Sequence, residues 1–224
     1  MGQDVNINGC RLIARSSGAL WWPEKRLLCV SDLHFGKADR VARRSSSLLP
    51  PYETRETLER LGKEIEALNP SRVICLGDSF DDASCLQSIS DTDLDRMMAL
   101  AYARDWIWIE GNHDRSIQPP VGRVLHEFTL GGLLFRHEAL QEALPGEISG
   151  HFHPKVRMKV KGTALVRRCF LEDGTRIMLP AFGAYTGGMW CTDPAIDRLF
   201  SNGVCAIITG SPCLRLPLRV GALV

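Results

Sequence analysis

The 224-residue sequence contains no C-x-x-C pair, although it carries eight cysteines, at positions 10, 29, 75, 85, 169, 191, 205 and 213. Without such pairs, a thiolate zinc site of the finger or ribbon type is not expected. Cys29 and Cys75 lie inside apolar runs and read as small buried hydrophobes with reduced thiols, which points to the cytoplasm. No apolar run is long enough to cross a bilayer. The opening M-G-Q-D-V-N-I-N-G lacks the basic start and apolar stretch of a signal peptide, and Asn6 stands where myristoylation of Gly2 requires Ser or Thr. No membrane partner is therefore expected. Strong charge of either sign is also missing: 27 Lys and Arg against 26 Asp and Glu leave +1. Bulk electrostatics thus advertise neither a nucleic acid nor an anionic surface, and such recognition must come from local charge. Internal repeats and low-complexity segments are absent, and there are only six histidines.

With 45% hydrophobic and 24% charged residues, the chain has the composition of an ordinary soluble globular protein, long enough for one domain over residues 1–224. Three short apolar runs, Arg26–Val30, Val73–Leu76 and Trp106–Glu110, read as strands of a sheet covered by helices on its faces. Residues 43–51 are polar and end in proline, as a loop does. Glu53–Leu68 then sets Leu58, Leu61, Ile65 and Leu68 at helical spacing and stops at Asn69-Pro70. Asp91–Arg104 predicts a second helix, with Leu94, Met97, Met98, Ala101 and Tyr102 on its apolar face. Strand, helix and strand in that order form right-handed βαβ units with parallel strands. Hairpins follow: Val124–Leu130 with Leu133–Arg136 about Gly131-Gly132, and Ala164–Leu171 with Arg176–Leu179 about Asp173-Gly174. Cys205–Thr209 and Leu214–Leu218 are the last expected strands.

The strand ends carry the chemistry. Asp78 follows Gly77 where the second central strand stops. Its carboxylate needs partners there, which a helix N-terminus or metal cations can supply. Asp32 and His34 are two residues apart and share one side of an extended chain, as a metal-binding pair or a hydrogen-bonded Asp–His on a loop. The third strand delivers Asn112, His113 and Asp114; His137 ends the first hairpin; Gly150-His151-Phe152-His153 follows Ser149. Five of the six histidines fall in this set, more than scattered packing histidines would. His126 belongs to no motif and reads as structural. Trp21, Trp22 and Trp190 read as packing residues.

The ordered series D-x-H (Asp32, His34), G-D-x-x-D (Asp78, Asp81), G-N-H-D, His137 and G-H-x-H resembles the calcineurin-like metallophosphoesterase superfamily. The flanking runs Ala19–Pro23, Ser31–Lys37 and Leu179–Gly188 are similar to one bacterial branch, the ligase-associated DNA damage response endonucleases. The resemblance implies an α/β fold of two mixed β-sheets packed as a sandwich and flanked by helices. It also implies two divalent metal ions: Asp32, His34 and His153 on the first, Asn112, His137 and His151 on the second, and Asp78 bridging them. His113 would stay off the metals and protonate the leaving oxygen, Asp81 would orient His113, and Asp114 would stabilise the loop. Such an enzyme hydrolyses a phosphoester with water activated between the metals. The mixed nitrogen and oxygen ligand set suits Mn first, with Fe or Zn as alternatives, and is too rich in nitrogen for Mg.

Substrate choice has fewer markers. Asp82 stands where phosphoprotein phosphatases of this superfamily carry an Arg that grips a dianionic phosphate. A carboxylate there favours a singly charged diester, unless Arg115 or Arg136 supplies the grip. Lys155, Arg157, Lys159 and Lys161 alternate with apolar residues directly after the last histidine motif. They form either a rail for nucleic-acid phosphates or the solvated face of an edge strand. Arg40, Arg43 and Arg44 either extend a basic rim or solvate a loop. The branch resemblance implies DNA as substrate, single-stranded or damaged, with a DNA ligase and a helicase as functional associates. A hydrolase of small nucleotide or lipid-linked diesters or pyrophosphates is the enzymatic alternative, and a non-catalytic scaffold the other. The Gly183–Gly188 loop either folds over the site or joins a dimer, and the oligomeric state is left open.

Overall fold

Strand Leu27–Val30 is apolar at every position because each of its faces meets a different hydrophobic layer: Leu27 and Cys29 join one core, Leu28 and Val30 another. The computed structural model describes residues 2–44, 50, 52–82, 84–115, 117–142, 144–160, 162–200 and 203–218. Its first sheet has seven strands in sequential order: β1 (Gly2–Ile7), β2 (Cys10–Arg15), β3 (Leu20–Trp22), β4 (Leu27–Val30), β5 (Arg72–Leu76), β6 (Asp105–Ile109) and β7 (Arg123–Leu125). Strands β1 to β4 pair antiparallel and β4 to β7 parallel, so the sheet is mixed. The parallel half is fed by helices α1 (Lys37–Arg44), α2 (Glu53–Leu68), the short α3 (Cys85–Ser88) and α4 (Asp91–Ala101).

The second sheet is built from β8 (Phe128–Leu130), β9 (Leu133–Phe135), β10 (Glu147–Ser149), β11 (Lys155–Val160), β12 (Thr163–Glu172), β13 (Arg176–Met178), β14 (Cys205–Ile208) and β15 (Leu214–Pro217), with α5 (Pro194–Asp197) between the last elements. Its order is β15-β14-β12-β13-β10-β9-β8, and β11 pairs with β12 alone. The two sheets close over a shared core in which Leu27, Ile74, Leu76 and Ile107 meet Phe135, Ile148, Phe170 and Ile177. Leu58, Leu61 and Ile65 of α2 and Met97 of α4 cover the outer face of the first sheet, and Ile196, Leu199 and Phe200 cover that of the second. This is the expected α/β sandwich of two mixed sheets flanked by helices. All eight cysteines are free thiols, Cys10 and Cys205 being only partly buried. Among the described residues, no helix is long and apolar enough to cross a membrane.

Several elements differ from the sequence reading. The α2 bounds are as expected, with Asn69 taking the left-handed conformation that ends it. Arg43 and Arg44, expected in a loop, form the last turn of α1, while residues 45–49 and 51 of that loop lie outside the described set. Helix α4 stops at Ala101, and Tyr102 is 80% exposed instead of packing, because the chain turns through Ala103 at φ 61° to start β6. The run Val124–Leu130 is divided: its start joins the first sheet as β7, and only Phe128–Leu130 pairs with β9 in the hairpin. β1 and β2 had no counterpart in the reading, although Val5, Ile7, Leu12 and Ala14 alternate inward. His126 is exposed, so it has no packing role.

The topology decides where the site lies. β4, β5 and β6 are adjacent and parallel, so the loops leaving their carboxyl ends share one edge of the sheet. β9 and β10 are likewise parallel neighbours and deliver their own exits. The Gly183–Gly188 loop lies against these exits: the Phe182 amide donates to the Ser31 carbonyl at 2.7 Å and the Gly183 amide to the Asp32 carbonyl at 3.1 Å. Arg168 fixes this loop by donating to the carbonyls of Ala181 and Gly183, each at 2.9 Å, and of Thr186 at 3.2 Å. Arg168→Ala is expected to lower stability by about 2–3 kcal/mol in urea unfolding, because half-buried carbonyls lose a charged donor. Arg168→Lys, which cannot span three carbonyls, is expected to recover only part of that loss.

Candidate metal centre

The polar residues at the strand exits converge on two adjoining clusters. Ligand atoms of Asp32, His34 and His153 lie within 4.8 Å of one another, and so do those of Asp78, His137 and His151. Asp32 and His34 leave β4, Asp78 leaves β5, His137 leaves β9, and His151 and His153 leave β10. Asn112, leaving β6, reaches the second cluster with its Nδ2 3.3 Å from Nδ1 of His151. Asp78 groups with the second cluster; its Oδ2 is 3.5 Å from His137 Nε2. The two clusters meet where His137 Nδ1 lies 3.9 Å from Asp32 Oδ1.

The local backbone makes this convergence possible. Asp32, His34, Asp78, His151 and His153 all adopt positive φ, between 44° and 69°. This left-handed conformation is uncommon for residues with a Cβ and clusters at functional sites. Two glycines permit the close approaches. A Cβ on Gly77 would lie 2.3 Å from His137 Nδ1, and one on Gly150 would lie 1.7 Å from Ser31 Oγ and 2.6 Å from Asp32 Oδ2. Ser31 in turn holds Asp32 Oδ2 at 2.5 Å, and the His151 amide donates to the same oxygen at 3.0 Å.

Whether these residues suit metals is tested by their unused atoms. Asp32 Oδ1, His34 Nε2 and His153 Nε2 are buried and make no hydrogen bond, although Asp32 Oδ1 and His153 Nε2 are only 3.0 Å apart. Buried polar atoms without partners are costly, and these three are one carboxylate oxygen and two imidazole nitrogens, the donor set of a divalent transition metal. Electrostatics agree. Burial acts to raise the pKa of Asp32 and Asp78, but it is outweighed by the neighbouring imidazoles, chiefly His153 for Asp32 and His137 for Asp78. Both carboxyls are thus held below the usual range. Burial disfavours a charged His137, yet its bond to Asp78 and the charges of Asp32 and Asp78 push it up to about 9. The residues fit two cations: Asp32, His34 and His153 would hold one, and Asp78, Asn112, His137 and His151 the other.

Around the clusters, three acidic and imidazole side chains take distinct places. His113 is exposed beside them, with Nε2 3.9 Å from Asp78 Oδ2 and its amide donating to Asp78 Oδ1 at 2.8 Å. Its Nδ1 is 3.2 Å from the main-chain carbonyl of Asp81. The carboxylate of Asp81, expected to orient His113, instead binds His34 Nδ1 at 2.7 Å and pairs with Arg40. Only its backbone serves His113. Asp114 is buried and accepts from the amides of Gly111 and Ser79, each at 2.7 Å, so it ties the exits of β5 and β6 together.

The substrate-binding candidates separate. Arg136 is committed to Glu127 and to the buried Glu147, the latter at 3.4 Å, and so does not offer a phosphate grip. Arg115 is exposed and borders a cavity of ≈ 600 Å³ beside Asn112 and His137. On the other side of the clusters, His34, His113, His151 and His153 line an open cavity of ≈ 590 Å³ together with Lys37 and Arg40. Lys155 and Arg157 lie on β11 with their charged ends over the ring of Trp190, which borders this same cavity. Lys159 is exposed on the same face, and Lys161 lies outside the described residues. Sequence reading missed Lys37 and set Trp190 aside as packing. Lys37 was legible as the end of the Ser31–Lys37 motif, and Arg40 follows it by three residues on α1, hence on the same helix face. Asp81→Asn is expected to weaken divalent metal binding by about 10–100-fold in isothermal titration, because the His34 ring loses its orienting carboxylate. Unchanged affinity would mean that Asp81 does not position a ligand.

Comparisons with known proteins agree with this geometry. No curated protein matches the chain. Among solved structures, it matches the crystal structure of the Pseudomonas putida nuclease MPE, with 26% identity, a TM-score of 0.73, and coverage of 97% of this chain and 100% of that one. The family model of the calcineurin-like phosphoesterases matches residues 25–210, a span that includes every residue of both clusters. The chain therefore belongs to the calcineurin-like phosphoesterase family and is a hydrolytic enzyme that uses divalent metals.

Proposed function

We propose that the protein is a DNA phosphodiesterase, an endonuclease cutting single-stranded or damaged DNA in repair, alongside a DNA ligase and a helicase in the cytoplasm. The observation that carries the reading is His113, an exposed imidazole beside two paired clusters of metal-ligand type, facing an open cavity. The structural neighbour described as a nuclease supports a nucleic-acid substrate.

Bound at the two clusters, divalent ions, manganese in our reading, supply positive charge to the phosphate oxygens and acidify water. The chain's own residues then divide the remaining work. Asp78 and Asp32 are carboxylates at neutral pH and would offer their charge to the cations, while His137, which they hold protonated without metal, would have to release its proton to become a ligand. His113 is the general acid: an Nδ1–H donated to the Asp81 carbonyl fixes the ring and leaves Nε2 to deliver a proton to the departing oxygen. Asp114 keeps the loop bearing His113 in register with the loop bearing Asp78. Lys37, on the cavity wall, draws the phosphate inward. The open mouth of the cavity suits a polymer that passes across the site better than a ligand enclosed by it.

The test is nicking of circular single-stranded DNA by chelator-stripped protein, with and without Mn²⁺. Nicking is expected only with metal, and His113→Ala is expected to reduce it by about 10²–10⁴-fold while metal affinity is retained. Turnover of a small chromogenic diester without any nicking would discard DNA as substrate and leave a small-diester hydrolase. Full activity in His113→Ala would remove it as the acid.

A further inference from the structure

The two cavities flanking the metal clusters differ in charge. The one beside Asn112 and His137 is bordered by three carboxylates, Glu110, Glu127 and Glu138, against two arginines, Arg115 and Arg136, the latter already paired with Glu127. The one beside His34 and His113 carries Lys37 and Arg40, the latter paired with Asp81, and adjoins at Trp190 a smaller cavity of ≈ 200 Å³ bordered by Arg157 and Trp190. The first lining is net acidic and the second net basic, so a polyanion crossing the site is favoured on the second side.

Trp190 is the wall shared by the larger and smaller cavities on the basic side. Its position is fixed by main-chain bonds to β11: the Lys155 amide donates to the Met189 carbonyl and the Cys191 amide to the Lys155 carbonyl, both at 2.9 Å. Lys155 Nζ lies 4.4 Å and Arg157 Cζ 4.9 Å from the centre of its ring. Phe152 and Met189 add apolar surface to the same cavity. Asp193, the one carboxylate on this side among the lining residues, is used as the cap of α5, accepting from the Ala195 amide at 2.9 Å. An indole wall with two long, solvent-accessible cations lying over it combines a stacking surface with phosphate attraction.

Resting on the DNA reading above, we propose that Trp190, Lys155 and Arg157 form a subsite for one nucleotide of a single strand, next to the metal centre on the His113 side. The base takes the place of a side chain now lying over the indole, and the displaced cations of Lys155 and Arg157 turn to the flanking phosphates. Trp190 is thus a binding residue for polymeric substrate, and the acidic cavity stays outside the strand's path.

Two measurements test this, with thermal melts confirming that each variant folds. In the metal-loaded His113→Ala protein, binding of a fluorescein-labelled oligodeoxythymidylate is followed by anisotropy. Adding Trp190→Ala is expected to weaken binding by roughly 5- to 150-fold, and Trp190→Phe to restore most of it. The Lys155→Ala, Arg157→Ala pair is expected to flatten the salt dependence by about 0.7 in log–log slope per lost contact. In the active protein, Trp190→Ala is expected to lower kcat/KM for single-stranded DNA more than for a small chromogenic diester. Equal losses on both substrates, or unchanged oligonucleotide binding, would overturn the subsite. Wild-type protein that binds the oligonucleotide through Trp190 yet never cuts it would refute the endonuclease reading and leave the subsite standing.

Discussion

Asp32 and Asp78 are buried carboxylates at the ends of neighbouring parallel strands, and their charge must be met inside the protein. An uncompensated buried carboxylate costs several kcal/mol. The first sheet supplies part of the compensation, through the Ser31 hydroxyl on Asp32 and the His113 amide on Asp78. The rest arrives from the second sheet, as His137 after β9 and His151 and His153 after β10. The shared core between the sheets therefore does more than bury apolar area. It holds two sets of strand exits in register, one bringing the carboxylates Asp32 and Asp78 with His34, the other bringing three imidazoles. Five of the residues at the junction sit at positive φ, a conformation costing of order 1–3 kcal/mol at each. That cost is carried by three hydrophobic layers and by Arg168, which pins the neighbouring loop.

Much of this was legible because each strand exit brought its own short motif. A buried run followed by a polar cluster identifies a parallel strand and its loop at once, and Asp32, His34, Asp78, Asn112, His137, His151 and His153 could be named without knowing how the loops meet. The glycines beside them carried a second signal. Gly77 and Gly150 occur where imidazole and hydroxyl groups come too close for a Cβ. The helix Glu53–Leu68 was legible to the residue because its apolar spacing and its stop both lie within the segment.

What stayed illegible depended on partners distant in sequence. The partner of the Asp81 carboxylate is His34, 47 residues earlier, and nothing local distinguishes that from a contact with His113. The fate of Arg136 is decided by Glu127 and Glu147, neither of which belongs to a motif. β7 leaves its hairpin because the first sheet has an open edge at β6, a property of topology and not of the run Val124–Leu130. Trp190 looked like a packing residue until β11 set two cations over it.

Asp82 shows why sequence position alone does not fix electrostatics. Read from the motif, its carboxylate should repel a dianionic phosphate. In the fold it accepts from Arg43 at 3.0 Å and from the Ser84 hydroxyl at 2.7 Å, and it is not among the residues lining the basic cavity. Its repulsion is therefore largely neutralised at the surface. On the proposed reading, discrimination against dianions would lie more in the arginines. Arg40 is committed to Asp81, Arg43 to Asp39 and Asp82, and Arg136 to Glu127 and Glu147. A guanidinium already forked onto a carboxylate must break that pair before it can grip a phosphate dianion, and a bidentate grip is what a dianion gains most from. A diester carries one charge and needs no such fork. On the proposed reading, the preference for diesters follows from these ion pairs, which leave Arg115, exposed beside Asn112, as the guanidinium at hand near the metal centre, together with the carboxylate that replaces an arginine at position 82.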